Sequence, residues 1–250
     1  MSADIVALPG SAESRGEGAR NARQRDTLAL VRLLRLASPT LPVGAFGYSQ
    51  GLETAIGQGW VRDEASIGDW ICDVLEFNIA RFEAPVLHRL MLAWSANDVE
   101  EVRRLNDWFL AARETAEFRA ETAQMGVALR QLFEATKELP EEEVHALRLI
   151  DPIAFPTAFA FAATRWQIDP LDALSAYLFA WAENQVNGAM KAVRLGHVGA
   201  QRILAQVAVK LSSLAQYALR CGTEERSNAT PGLAIASCLH ELQDGRVFRS

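Results

Sequence analysis

The chain has 250 residues, half of them apolar and under a quarter charged, so it can bury a sizeable core and is not a disordered polymer. A formal charge of −6 with no cluster of Lys and Arg excludes a nucleic-acid-binding surface and points to protein partners. The longest apolar run, Ile153 to Ala163, is broken by Pro156 and too short to span a bilayer. No apolar signal core is present, and the three scattered cysteines, Cys72, Cys221 and Cys238, form no disulfide framework, so a cytoplasmic protein without a membrane anchor is expected.

Residues 1–25 mix Gly, Ser, Ala, Glu and Arg without periodicity and read as a mobile N-terminal tail. From Thr27 the pattern is helical, with Leu30, Leu33, Leu34 and Ala37 at i, i+3, i+4 and i+7. That helix must stop in Ser38–Glu53, SPTLPVGAFGYSQGLE, where Pro39 and Pro42 fix φ and withhold donors. Gly44 and Gly47 allow positive φ or close approach, Phe46 and Tyr48 add apolar surface, and Ser49 is placed to cap a helix over 50–57 with Glu53 near its positive end. The stretch is either a packed helix-to-helix corner or a binding loop.

Asp63 opens a helix with an apolar face of Ile67, Trp70, Ile71, Val74, Leu75 and Phe77, and Pro85 suits the first turn of the next, which predicts two antiparallel helices. Asn97 and Asp98 cap a further helix to about Arg113. In Arg113–Gly126, RETAEFRAETAQMG, the ~100° helical step puts Glu114, Glu117, Glu121 and Gln124 on the side of Phe118 and Met125. Carboxylates within an apolar stripe need partners, and Arg113 to Glu117 is one available pair. The row reads as a structural ion-pair edge, as a polar water-containing passage or partner-facing patch, or, third, as paired carboxylates for acid–base chemistry. Pro140, Pro152, Pro156, Pro170 and Pro231 divide the remainder into further helices. The expectation is an all-α, single-domain irregular bundle of roughly ten helices over residues 26–240, with no sheet.

In the segment Tyr177–Leu204, the residues Tyr177, Trp181, Asn184, Gly188 and Lys191 share one helical seam, and Asn184, Asn187 and Lys191 are unusual core residues. A structural hydrogen-bond network and a protein interface both account for them. His197 is a lone candidate ligand without a second in sequence. Cys238 and His240 form a closer pair, but i, i+2 spacing on a helix points them apart, so a shared, transient metal would require unwinding. Residues 241–250 carry Arg246, Phe248, Arg249 and Ser250 after Gly245, a short arm expected to order on a partner. Lys191 and this arm are expected to be separate contact sites.

Four blocks resemble the urease accessory protein UreF family. They are Leu41, Pro42, Gly44, Phe46, Ser49, Gly51, Leu52 and Glu53; the Arg113–Gly126 run; the stretch around Lys191; and His240–Ser250, HELQDGRVFRS. Arg194 and His197 stand where that family usually has Pro and Gln, and Asp244 and Gly245 where it has Tyr and Ser. The resemblance implies an all-helical homodimer, not an enzyme, that binds UreD (also called UreH), recruits the GTPase UreG and helps deliver nickel to apo-urease. It implies no permanently bound cofactor: nickel is in transit, and GTP and magnesium belong to UreG. It also places Lys191 in the region linked to control of that GTPase. The competing readings are an all-α metal-dependent hydrolase built on the acidic helix and a metal-storing chaperone using Cys238 and His240.

Overall fold

A computed structural model of the chain describes residue 24 and residues 26–193 and 195–250. The tail expected over residues 1–25, Gln24 apart, falls outside the described residues, as does Arg194. Among the described residues every regular element is helical and no strand occurs, so the chain is all-α. The helices are α1 (26–37), α2 (Leu52–Gly57), α3 (Glu64–Val74), α4 (Ala84–Ser95), α5 (Val99–Ala111), α6 (Ala116–Thr136), α7 (Glu141–Arg148), α8 (Phe155–Arg165), α9 (Pro170–Ala192), α10 (His197–Arg220) and α11 (Pro231–Glu241).

Local signals set most of the boundaries. Asp63 accepts from the Ser66 amide while the Ser66 hydroxyl accepts from the Asp63 amide, a reciprocal box that starts α3. Asp98, Thr115 and Asp169 likewise accept from backbone amides to open α5, α6 and α9. The chain does not turn before Pro85. Residues Leu75–Glu83 form a π-helical segment that joins α3 to α4 in one continuous rod, with the Ala84 amide bonded to the carbonyl of Ile79. The wider turn absorbs a proline that has no amide to give its own turn, so the expected antiparallel pair is one rod.

Helix α8 is the centre of the core. Ala158, Ala160, Ala162 and Ala163 have no exposed surface, and their small side chains let α4 and α6 pack closely on either side. The buried Asn106 amide donates to the Pro152 carbonyl at 2.9 Å, and its oxygen accepts from Ala154 N and the Thr157 hydroxyl, each at 2.9 Å. One side chain on α5 thereby holds the turn that launches α8. At Gly126 of α6, an added Cβ would lie 2.2 Å from the Ile153 carbonyl oxygen, so hydrogen alone permits this crossing. In α1, Leu33 and Leu36 face the core whereas Leu30 and Leu34 of the predicted stripe are exposed.

Candidate functional site

Residues 38–51 form an irregular turn that packs between α6, α9 and the C-terminal arm. Gly44 has φ +77° before a one-turn 3₁₀ helix, Ala45–Gly47, and Gly51 has φ +80° at the start of α2. Gly51 also faces Ala236 of α11, where an added Cβ would come within 3.0 Å. Helix α2 therefore begins at Leu52, not at residue 50, because the left-handed Gly51 occupies the capping position. Ser49 still contributes: its hydroxyl accepts from the Glu53 amide at 3.3 Å and donates to Ser250 O at 2.6 Å.

The four sequence blocks meet at this turn. From α6, Gln124 accepts from the Tyr48 hydroxyl at 2.6 Å and Glu121 accepts from the Gln50 amide at 2.6 Å. From α9, the Trp181 indole donates to Gln50, and Asn184 donates to the carbonyls of Ala45 and Tyr48 at 3.0 and 3.3 Å. The polar seam read from sequence thus holds the turn in place through direct hydrogen bonds. Asn187, which shares that wall, lines a cavity instead.

The arm 241–250, expected to order on a partner, is ordered here on its own chain. Glu53 is its anchor: the carboxylate accepts from the amides of Val247 and Phe248 at 2.8 and 3.0 Å. Ser250 O accepts from the amides of Ser49 and Gln50, Arg249 N donates to the Gly47 carbonyl, and the Ser250 hydroxyl donates to Glu121 at 2.8 Å. Phe248 is buried, and Arg246 pairs with Glu117 at 2.9 Å. Lys191 lies 5.6 and 5.8 Å from the ring centroids of Phe46 and Phe248. Lys191 and the arm, expected as separate contact sites, are neighbours in the fold. They form one surface with the tip of the turn.

The candidate ligand pair does not converge. Cys238 is exposed, whereas His240 is fully buried, 2.8 Å from Glu117 and 3.4 Å from Glu53. Its imidazole joins α11 to α2 and α6 and has no edge left for a ligand shared with Cys238. Among the described residues no group of three or more His, Cys, Asp and Glu is arranged to hold a metal. His197 is exposed at the first position of α10.

Beneath the turn lies a cavity of about 490 Å³, walled by Phe118, Phe155, Phe159, Trp181 and Met125 among others. Its polar lining includes a cluster that sequence reading missed. Glu83 pairs with Arg113 at 2.6 Å and accepts from the Tyr177 hydroxyl at 2.6 Å, all three buried. Arg113 lies in the connection between α5 and α6 and reaches across to the π segment, not to Glu117 of α6. Burial disfavours its charge, but the carboxylates of Glu83, Glu114 and Glu121 outweigh that and raise its pKa. Burial, and then Glu83, push Tyr177 well above the usual phenol range. Burial lifts Glu121 to about 7 despite the hydrogen bonds from Gln50 and Ser250 and the charge of Arg113. Of the proposed polar row, Glu121 lines this cavity; Glu114 accepts from Asn78 at 3.2 Å, and Glu117 and Gln124 brace the arm and the turn. No periodicity signal could have paired residues 83, 113 and 177, because they lie on three elements.

Comparison with known proteins places this arrangement among relatives. The UreF family model matches residues 61–208. A protein of Azoarcus sp. (strain BH72) named "Urease accessory protein UreF" is 53% identical over 226 residues, covering 89% of this chain and 96% of that one. Proteins of the same name from Dechloromonas aromatica (strain RCB) and Janthinobacterium sp. (strain Marseille) are 48% and 46% identical, each over 89% of this chain and 98% of the relative.

Proposed function

Because the chain belongs to the UreF family of urease accessory proteins, we propose that it serves urease maturation as a scaffold without catalysis of its own. In this reading it acts as a homodimer in the cytoplasm, binds UreD/UreH, recruits the GTPase UreG and helps deliver nickel to apo-urease. The observation that carries the reading is the convergence of the turn, the α6 carboxylates, the α9 seam and the arm on one surface. Most of the polar groups there are engaged with one another or with the backbone of the turn, which builds a shaped face. Exposed Phe46 at the tip, with Lys191 beside it, supplies the aromatic and the cation that protein interfaces favour. Further exposed apolar side chains, Leu30 and Leu34 on α1 and Ile235 and Leu239 on α11, offer surface for additional chains. Nickel is cargo in this scheme, passed along and not kept.

Capture of UreD alone, and of UreD with UreG, tests the reading alongside activation of apo-urease. Deleting residues 246–250 removes the strap that Phe248 and Ser250 fasten to the turn, and by unfastening the face should weaken UreD capture more than tenfold, about 1.4 kcal/mol or more. Lys191→Ala should leave UreD capture within about threefold and reduce UreG recruitment. Combined with the deletion it should add less than its separate effect, since the ammonium and Phe248 are in contact. Retention of UreD capture, UreG recruitment and urease activation in the combined variant would overturn the assignment of this surface.

A further inference from the structure

The loop 221–230, between α10 and α11, presents a cation that has no ion-pair partner. The loop is fastened on both sides: Ser227 N donates to the Arg81 carbonyl of the π segment at 3.1 Å, and the Asn228 amide donates to the Ala112 carbonyl just past α5 at 2.7 Å. Beside these ties Arg226 is laid over the exposed ring of Trp108, 5.0 Å from its centroid. The Arg226 side chain is half-buried. Its Nε is enclosed without an acceptor, and the terminal nitrogens, its open edge, make no hydrogen bond or ion pair among the described residues.

Its surroundings add to the charge. Arg89 of α4 and Arg104 of α5 act on it, and of the three only Arg104 holds a carboxylate among the described residues, that of Glu101 at 2.6 and 2.7 Å. Burial first, then Arg89 and Arg104, lower the pKa of Arg226 against the opposing pull of Cys221 and Glu101. The loop's own Glu225 is turned back onto the Gly222 amide at 2.7 Å. Three guanidinium groups therefore share one carboxylate, and a half-buried cation placed among them is costly until an anion reaches it. Where the loop meets the π segment, Arg81 lies 4.8 Å from the centre of the exposed Phe77 ring, so a second pairing of cation and aromatic adjoins the first. Arginine and aromatic side chains are what protein interfaces concentrate, whereas a bare inorganic anion makes no use of the rings. None of these residues lies in the turn, the arm or the wall of the cavity beneath them.

We propose that the loop 221–230, with α4 and α5 beside it, forms a second docking surface, which takes an acidic segment of a protein partner and holds its carboxylates on the open guanidinium groups of Arg226 and Arg89. Charge complementarity selects that occupant, since a carboxylate there gains charge-assisted hydrogen bonds and relieves the repulsion between the arginines.

The test uses the full chain labelled at its tryptophan indole N–H groups. Trp108 reports on the patch, and Trp94 in the core and Trp181 at the turn serve as references. Three probes are titrated at low salt: a hexaglutamate peptide with blocked ends, its hexaglutamine counterpart, and inorganic phosphate. Hexaglutamate should shift the Trp108 resonance saturably and leave Trp94 and Trp181 in place, with the other two probes at least tenfold weaker. Arg226→Gln and Arg89→Gln should each weaken hexaglutamate at least threefold, and together at least tenfold. Arg202→Gln, which removes the same charge near the other end of α10, should leave its affinity unchanged. Equal binding by hexaglutamine would show that charge does not select the occupant, and equal binding by phosphate would assign the patch to a free anion. Undiminished binding in the combined variant would equally overturn the proposal, as would a chain that sediments as a dimer until Arg89 and Arg226 are both replaced, since the patch would then face a second copy.

Discussion

Glu53 shows how a residue's sequence position and its work diverge. It was expected to favour the positive end of α2. Its carboxylate is instead turned onto the amides of Val247 and Phe248, about 195 positions downstream, with Gln243 and His240 at 3.4 Å beside them. A helical wheel sees only neighbours within a turn or two, so that partnership was out of reach, as was the closure of Glu83 on Arg113 and Tyr177. What the wheel did show was that Glu121 sits among apolar residues, and its consequence is measurable. The carboxyl ionises near 4.5 when unfolded and at about 7 when folded. The folded state therefore holds a proton that the unfolded state has released. The stability this contributes is complete below pH 4.5 and is lost as pH rises towards about 7. Glu121→Gln removes the titration while keeping an acceptor for Gln50, so the melting temperatures of the two proteins should diverge from pH 5 to pH 8. The variant should be the more stable at pH 8, by on the order of 2 kcal/mol. Parallel pH profiles for the two would show that Glu121 does not titrate in this range.

At the scale of the helices, caps and breakers were legible because they act within four residues: Asp63, Asp98, the proline capping α7 and the prolines in the first turns of α8, α9 and α11 all mark starts. The passage through Pro85 was not, since a π turn and a loop present the same local sequence. Two helical glycines separate packing from propensity. In Gly126→Ala the new methyl meets the Ile153 carbonyl and must push α6 off α8, for a loss of about 1–3 kcal/mol in urea unfolding. In Gly188→Ala the methyl would lie 3.8 Å from the Phe248 ring, an ordinary contact, and mid-helix propensity should yield a gain of about 0.5–1 kcal/mol. Equal effects at the two positions would show that the α6–α8 crossing relaxes freely.

For the whole molecule, the all-α class followed from unbroken 3.6-residue periodicity, while the meeting of four distant blocks followed from no pattern within any of them. Resemblance to a family could mark the blocks as belonging together, but only the fold shows that each holds the same turn. Hydrogen exchange should therefore report on them jointly. With residues 246–250 deleted, the amides of Ser49 and Gln50 lose Ser250 O, and the turn 44–50 should exchange at least tenfold faster while α4 and α8 keep their protection. Unchanged exchange in the turn would mean that α6 and α9 suffice to hold it.

The Glu53 clasp also fixes an order of events during synthesis. At about 5–20 residues per second, the 195 positions between Glu53 and Phe248 take about 10–40 s to translate. Through that interval Glu53 waits with its carboxylate uncommitted, beside a turn still lacking the strap that closes it. A nascent chain stalled between residues 241 and 246 carries every helix but not the finished face, so the surface we assign to partners becomes available only to chains whose translation has passed the arm.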